Sequence, residues 1–360
     1  TSNIQHGPLP GMHAPALAIV DSTLVVPPAL QKEFSAILGS KPVLEVHTTF
    51  GFFGGASANL ASPACSLRLP GGSSLAWGGL TGTVTAARNQ ARWSAQLSAP
   101  RVALQSVQGG IELTGMEYTG AHEKALGDLY VGTGNLTIEG VDGRTPRGNY
   151  SLQRISLTST AKATGEFFDI RVDVATDAAE IASLSLKNVT YSESFEHVHG
   201  PSLASMVQAI RVAEHQSGLD RTQLQTGMRD AVRQYGGDLL LHDPVIDIRQ
   251  VGFTMPEGSL LFSAKLSAPG LSRADLQWPA AIGALKTHAQ IGADLRVDNG
   301  LVRRLLAMGG SNPRIAAQVA ALEQKGYLTA GASNVTTHLE FSGGRLTLNG
   351  RAFPPAAPMN

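Results

Sequence analysis

The chain is nearly devoid of cysteine and poor in charge, and each shortage excludes a class of protein. One cysteine, Cys65, stands among 360 residues, so no internal disulfide and no multi-cysteine zinc or iron–sulfur centre can form. Within Ser62-Pro63-Ala64-Cys65-Ser66-Leu67 that thiol reads as a small packed side chain and not as a nucleophile. Charged residues make up 16% of the chain, and 28 Lys+Arg offset 28 Asp+Glu. A net charge of zero without a basic stripe argues against a nucleic-acid partner. No run of like charge offers an interaction tail. Two uncharged stretches, Thr48 to Leu67 and Leu69 to Ala87, are each broken by Pro and Gly, so neither is a convincing membrane span. The alternation in Val43-Leu44-Glu45-Val46-His47-Thr48-Thr49-Phe50 fits a strand better.

What is present is strand and turn. Glycine is abundant, with 40 residues, as expected where many turns and bulges need positive φ. Alternating or β-branched runs read as strands at 16–26, 43–53, 75–87, 91–97, 110–118, 129–139, 150–160, 165–175 and 180–191. A short helix is expected over Ala29 to Leu38. After Tyr191 the pattern changes. Pro201 opens a helix with the stripe Leu203, Met206, Val207 and Ile210. Asp220 with Gln223 resembles a capping box for a second helix, which Gly236-Gly237 should stop. Strands resume at 245–254, 259–267 and 289–297. A second helical pair covers 301–308 and 313–325, with Asn312 as cap and Gly326 as terminator. A hairpin closes the chain, 335–341 and 345–348 around Ser342-Gly343-Gly344.

Several phrases recur. Ser94-Ala95-Gln96-Leu97-Ser98-Ala99-Pro100 returns as Ser263-Ala264-Lys265-Leu266-Ser267-Ala268-Pro269. Gly134-Asn135-Leu136-Thr137-Ile138-Glu139-Gly140 returns as Gly344-Arg345-Leu346-Thr347-Leu348-Asn349-Gly350, and His6-Gly7-Pro8 as His199-Gly200-Pro201. The expected architecture is α+β and predominantly β. It is a long curved antiparallel sheet of successive hairpins in two diverged halves, with a few amphipathic helices on one face. The halves are a β-rich region 1–195 and a region 196–360 with two helical pairs and strands.

The opening His6-Gly7-Pro8-Leu9, the phrase Leu75-Ala76-Trp77-Gly78-Gly79-Leu80-Thr81-Gly82 and the strand ending Leu97-Ser98-Ala99-Pro100 resemble YdgA-type bacterial envelope proteins. So do Gln324-Lys325-Gly326-Tyr327-Leu328 and Leu346-Thr347-Leu348-Asn349-Gly350. That family has no established function or catalytic residues, so none transfers. The resemblance implies a β-rich body in the periplasm, tethered to the inner membrane by an N-terminal anchor. With Thr1 in place of an initiator Met, a trimmed or mature form is expected.

The chain contains no Gly-x-Ser-x-Gly elbow, Walker-type loop or His-Glu-x-x-His helix. Gly132-Thr133-Gly134 lacks the third glycine of a dinucleotide fingerprint. His197 and His199, two apart on a strand, could point one way beside Glu193 and Glu196 as a metal site, but a polar turn before Pro201 accounts for them more simply. His6 and His199 are expected to share a turn whose ring bonds local backbone. Asp169, Asp173 and Asp177 read as a solvated strand face. No cofactor, metal or catalytic residue is assigned. Trp77, Trp93, Phe50 and Phe52 are the candidate ligand-binding residues, because low-charge strands outnumber the helices that could cover them. The leading expectation is a non-enzymatic periplasmic protein that binds an apolar or amphiphilic, lipid-like ligand. The alternatives are a scaffold that pairs with itself or another envelope protein, and an envelope hydrolase built on the His197–His199 region.

Overall fold

A computed structural model describes residues 1–10, 15–24, 42–68, 70–182, 184–217, 220–277, 280–308 and 313–353. The helix expected over Ala29 to Leu38 and the cap Asn312 lie outside these residues. Strand accounts for 59% and helix for 21%, so the expected β-dominated class holds. The architecture is a long open antiparallel sheet of hairpins with five α-helices among the described residues.

The chain forms two compact units. The first holds Thr1–Lys124, Tyr130–Thr160 and Val174–Leu186; the second holds Ala125–Leu129, Ala161–Asp173 and Lys187–Asn360. The short strands of the first unit are β1 (Ser2–His6), β2 (Ala18–Thr23), β3 (Glu45–Phe50), β4 (Ala56–Ser62), β5 (Cys65–Arg68), β6 (Ser74–Trp77) and β7 (Leu80–Ala86). Longer ones follow: β8 (Arg92–Ser106), β9 (Gly109–Leu126), β10 (Leu129–Thr145), β11 (Gly148–Thr164), β12 (Phe167–Ile181) and β13 (Leu184–His199). β2 pairs with β3, β3 with β4, β4 with β7, β7 with β8 and β8 with β9, all antiparallel. The expected strand at 75–87 is split into β6 and β7. Gly79 sits between them at φ 97, and a Cβ there would lie 2.9 Å from the Ser62 carbonyl oxygen.

Residues paired across an antiparallel ladder share a face, so the registers sort the first unit into two surfaces. One carries the rows Ala18–Phe50–Ala56–Ala86–Trp93–His122, Val20–Thr48–Ala58–Val84–Ala95–Gly120 and Ser22–Val46–Leu60–Gly82–Leu97–Tyr118. The other carries Asp21–His47–Asn59–Thr83–Gln96–Thr119 and Ile19–Thr49–Ser57–Thr85–Ser94–Ala121. The first surface is apolar and the second is built mostly of Ser, Thr, Asn and Gln. On the second, Asp21 meets His47 at 2.6 Å, Thr83 donates to Asn59 at 3.1 Å, and the Thr85 and Ser94 hydroxyls meet at 2.7 Å. On the apolar surface only Ala95 is fully buried, while Val46, Leu60, Val84, Trp93 and Leu97 remain half-buried.

The strands of the second unit are β14 (Val245–Met255), β15 (Gly258–Ser267), β16 (Gln290–Asp298), β17 (Thr329–Ala330), β18 (Asn334–Ser342), β19 (Arg345–Leu348) and β20 (Arg351–Ala352). Its helices are α1 (Gly200–Ser217), α2 (Arg221–Leu240), α3 (Ala280–His288), α4 (Asn299–Met308) and α5 (Pro313–Gln324). Pairing runs β13–β14–β15–β16–β18–β19. Asp220 caps α2 as expected, its carboxylate accepting the N–H groups of Thr222 and Gln223. The helix then passes through Gly236-Gly237 to Leu240 instead of stopping. Leu241 N–H still donates to Gly237 O at 3.2 Å, and Leu276 fills the space beside Gly237. α1 and α2 pack on each other, with Ala213 against Gly227, while α4 packs on β15 and β16. Leu301 of α4 is fully buried, and Val297 of β16 and Ala264 of β15 are buried as well.

The recurring phrases have unequal fates. Ser94–Ala99 and Ser263–Ser267 both lie in strands flanked on two sides. Gly134–Gly140 lies within β10, whereas Gly344–Gly350 spans a turn, β19 and a second turn.

Candidate functional site

The site grows from the last row of the apolar surface. Trp93, second residue of β8, faces His122 across the β8–β9 ladder, and their rings stack with centroids 4.2 Å apart and planes at 26°. Tyr130 meets Trp93 edge-on at 6.5 Å and 73°. Tyr118 lies four residues before His122 on the same face, and its hydroxyl reaches His122 Nε2 at 3.5 Å. That reach needs the residue between them to be small. A Cβ on Gly120 would fall 2.4 Å from the Tyr118 hydroxyl oxygen and 3.1 Å from His122 Nε2. Burial holds the His122 imidazole below its usual pKa, so it is neutral at pH 7 and compatible with an apolar neighbour.

Beside this stack lies a hollow of about 560 Å³, lined by Ala86, Trp93 and His122 of the apolar row, by Thr85, Ser94 and Ala121 of the row on the other surface, by Val131, and by Arg92 and Glu123. Arg92 Nε and Glu123 Oε1 are 3.4 Å apart, and both side chains are largely exposed. The size falls within the range of small-molecule sites, and a lining that combines an indole and aliphatic groups with hydroxyls and a charged pair suits a molecule that has one greasy and one polar end. The hollow offers no nucleophile paired with a base.

Phe50 lies in the same row as Trp93, three strand spacings or about 14 Å away. Phe52 lies just beyond, in the β3–β4 turn, and is half exposed. Trp77 is elsewhere. It pairs with Cys65 and Val102, and its indole N–H donates to Ser62 Oγ at 2.8 Å. Val102 is nine residues along β8 from Trp93, so the two indoles sit about 30 Å apart. The registers thus bring Phe50, Phe52 and Trp93 to one end and leave Trp77 out. Sequence reasoning missed His122, Tyr118 and Tyr130, although Tyr118-x-Gly120-x-His122 carries the pattern of alternate positions on one face.

The second unit holds a separate aromatic group. His197 stacks on Phe167 at 3.8 Å, and His199 stacks on His242 at 3.7 Å with planes 8° apart. His199 Nδ1 is 2.8 Å from Ser202 Oγ, and its Nε2 is 4.0 Å from Glu166. The His199 ring therefore bonds a side chain in the first turn of α1, not local backbone as expected. Glu193 accepts from Tyr191, while Glu196 accepts from Ser194 and stands 3.9 Å from both Arg249 and Lys265. The two glutamates are thus engaged away from the imidazoles. Among the described residues no group of three or more His, Cys, Asp or Glu is placed to hold a metal. Asp169 accepts the His197 N–H, Asp173 is forked by Arg171, and Asp177 pairs with Arg154.

The chain belongs to a bacterial protein family of unknown function, DUF945, whose model matches residues 1–356. No curated protein and no solved structure matches it.

Proposed function

We propose that this protein is a non-enzymatic, periplasmic binder of an apolar or amphiphilic, lipid-like molecule, tethered to the inner membrane through an N-terminal anchor. The observation that carries the reading is the Trp93–His122 hollow at the end of an apolar sheet face that no described helix of its own unit covers. Large apolar surface left in water is unfavourable and marks contact with a ligand, a partner or a bilayer. A neutral His122, the Tyr118 hydroxyl and Arg92 can orient a polar headgroup, while Trp93, Ala86 and Val131 take the chain. Periplasmic location and the anchor rest on the resemblance to envelope proteins.

Mass spectrometry of an organic extract of the purified protein tests the reading. A single class of amphiphile near stoichiometric amount is expected, and its loss in Trp93→Ala places it in the hollow. A ligand-free protein that light scattering shows to be a dimer overturns the reading in favour of the scaffold.

A further inference from the structure

The turn between β3 and β4 reads Gly51-Phe52-Phe53-Gly54-Gly55. Gly51 N–H donates to Gly55 O at 2.8 Å and Gly54 N–H donates to Gly51 O at 3.0 Å. Gly54 takes φ +84, a conformation side chains disfavour. Closed this tightly, the turn does not fold its rings back on the sheet. Phe53 is 96% exposed and Phe52 50%. Leu17, 55% exposed, donates its N–H to Phe50 O and extends the apolar rim. This is a protruding apolar tip and not a scattered surface residue.

The charge of the segment that carries it is one-sided. From Val46 through Ile111 the chain contains no carboxylate, and its fixed charges are Arg68, Arg88, Arg92 and Arg101. The whole protein is neutral, so this excess is a local segregation of charge. Arg88 lies against the tip itself: a Cβ on Gly54 would stand 3.0 Å from Arg88 Cγ. Arg92 is shared with Glu123 and Arg101 with Glu112, so the tip relies on Arg88. Aromatic rings beside an arginine, with no acid in the segment, match the interfacial zone of a bilayer, where rings sit at headgroup depth and cations meet lipid phosphates.

We infer that the Phe52–Phe53 turn docks on an anionic phospholipid bilayer, with both rings at headgroup depth and Arg88 against the phosphates. This stands whether or not the Trp93 hollow holds a ligand. The tip and the hollow share the β7–β8 end, because a Cβ on Gly55 would lie 3.4 Å from the Ala86 carbonyl oxygen and Ala86 lines the hollow.

Vesicle flotation of the full chain tests the inference, using equal parts phosphatidylglycerol and phosphatidylcholine against phosphatidylcholine alone. The protein is expected to float with the anionic vesicles. The Phe52→Ser/Phe53→Ser double variant should bind them at least about tenfold more weakly, and Arg88→Gln about fivefold. Both variants should melt as the parent does, since the changed side chains are exposed. In Phe53→Trp, the added emission should shift blue and be quenched by brominated lipid. No flotation of the parent, equal flotation of the double variant, or an unquenched Phe53→Trp overturns the inference. So does a lipid-free dimer that the double variant converts to monomer, which would make the tip a self-association surface.

Discussion

The Trp93 indole lies stacked on the His122 imidazole at 4.2 Å, and the two residues are direct partners across the β8–β9 ladder. The same row continues through Ala86 and Ala56 to Phe50. The candidate site is thus a product of register: a slip of one residue would send Trp93 to the Ser- and Thr-rich surface.

Removing Trp93 should empty the site, whereas changing Trp77 should not. Trp93→Ala is expected to weaken binding of a fluorescent fatty-acid probe by about tenfold or more, ~1.4 kcal/mol. Trp77→Phe, about 30 Å away, should leave the affinity unchanged in the same titration.

Gly120→Ala should act on stability and on the site together. Its methyl would meet the Tyr118 hydroxyl at 2.4 Å, so the tyrosine must swing away from His122. A loss of about 1–3 kcal/mol is expected in chemical denaturation, with weaker probe binding.

Acid should destabilise the protein through its imidazoles. Burial first, and the stacked His242 second, hold His199 below the usual imidazole pKa, while Glu166 and Asp238 pull the other way. An unfolded histidine binds its proton near about pH 6.5. The unfolded chain therefore takes up more protons than the folded one as pH falls through that value, and stability drops. His122, also held low by burial, contributes in the same direction. Melting temperature should fall between about pH 7.5 and about pH 5.5. The fall should be smaller in His242→Phe, which keeps a stacked ring and removes the neighbour that helps hold His199 low.

Cys65 should react slowly. Burial pushes its thiol pKa up, so little thiolate exists near neutral pH. Maleimide labelling of the folded protein should lag well behind labelling in denaturant, and labelling at equal rates would contradict this.

Much of the fold was legible because hairpins announce themselves locally. The closing hairpin was placed within a residue of β18 and β19, and Gly343 and Gly344 both take positive φ, at 56 and 77, as a tight two-residue turn requires. Asp220 was readable for the same local reason. β8 was read as ending at Leu97 but runs to Ser106. Pro100 lacks one N–H, yet the ladder bridges Ala99 to Met116 and Arg101 to Thr114 on either side, so a single rung is lost and not the strand. β4 and β5 escaped notice because Ala, Ser and Asn have weak strand preference; pairing with β3, β7 and β6 specifies them. Of the hollow's lining, only Trp93 was legible in the sequence as a candidate. Trp93, Phe50 and Phe52 could be picked as large rings in a low-charge region, but the row that Phe50 shares with Trp93, and the distance of Trp77 from it, depend on pairings between distant segments that no local pattern encodes.

Photo-crosslinking with a diazirine-bearing fatty acid tests the central claim most directly. The account predicts adducts on the residues that line the hollow, Thr85 to Ala87, Arg92 to Ser94, Ala121 to Glu123, Val131 and Gly132, which unlabelled fatty acid competes away and Trp93→Ala abolishes. Adducts spread over strands that do not line the hollow, or none at all, would contradict it.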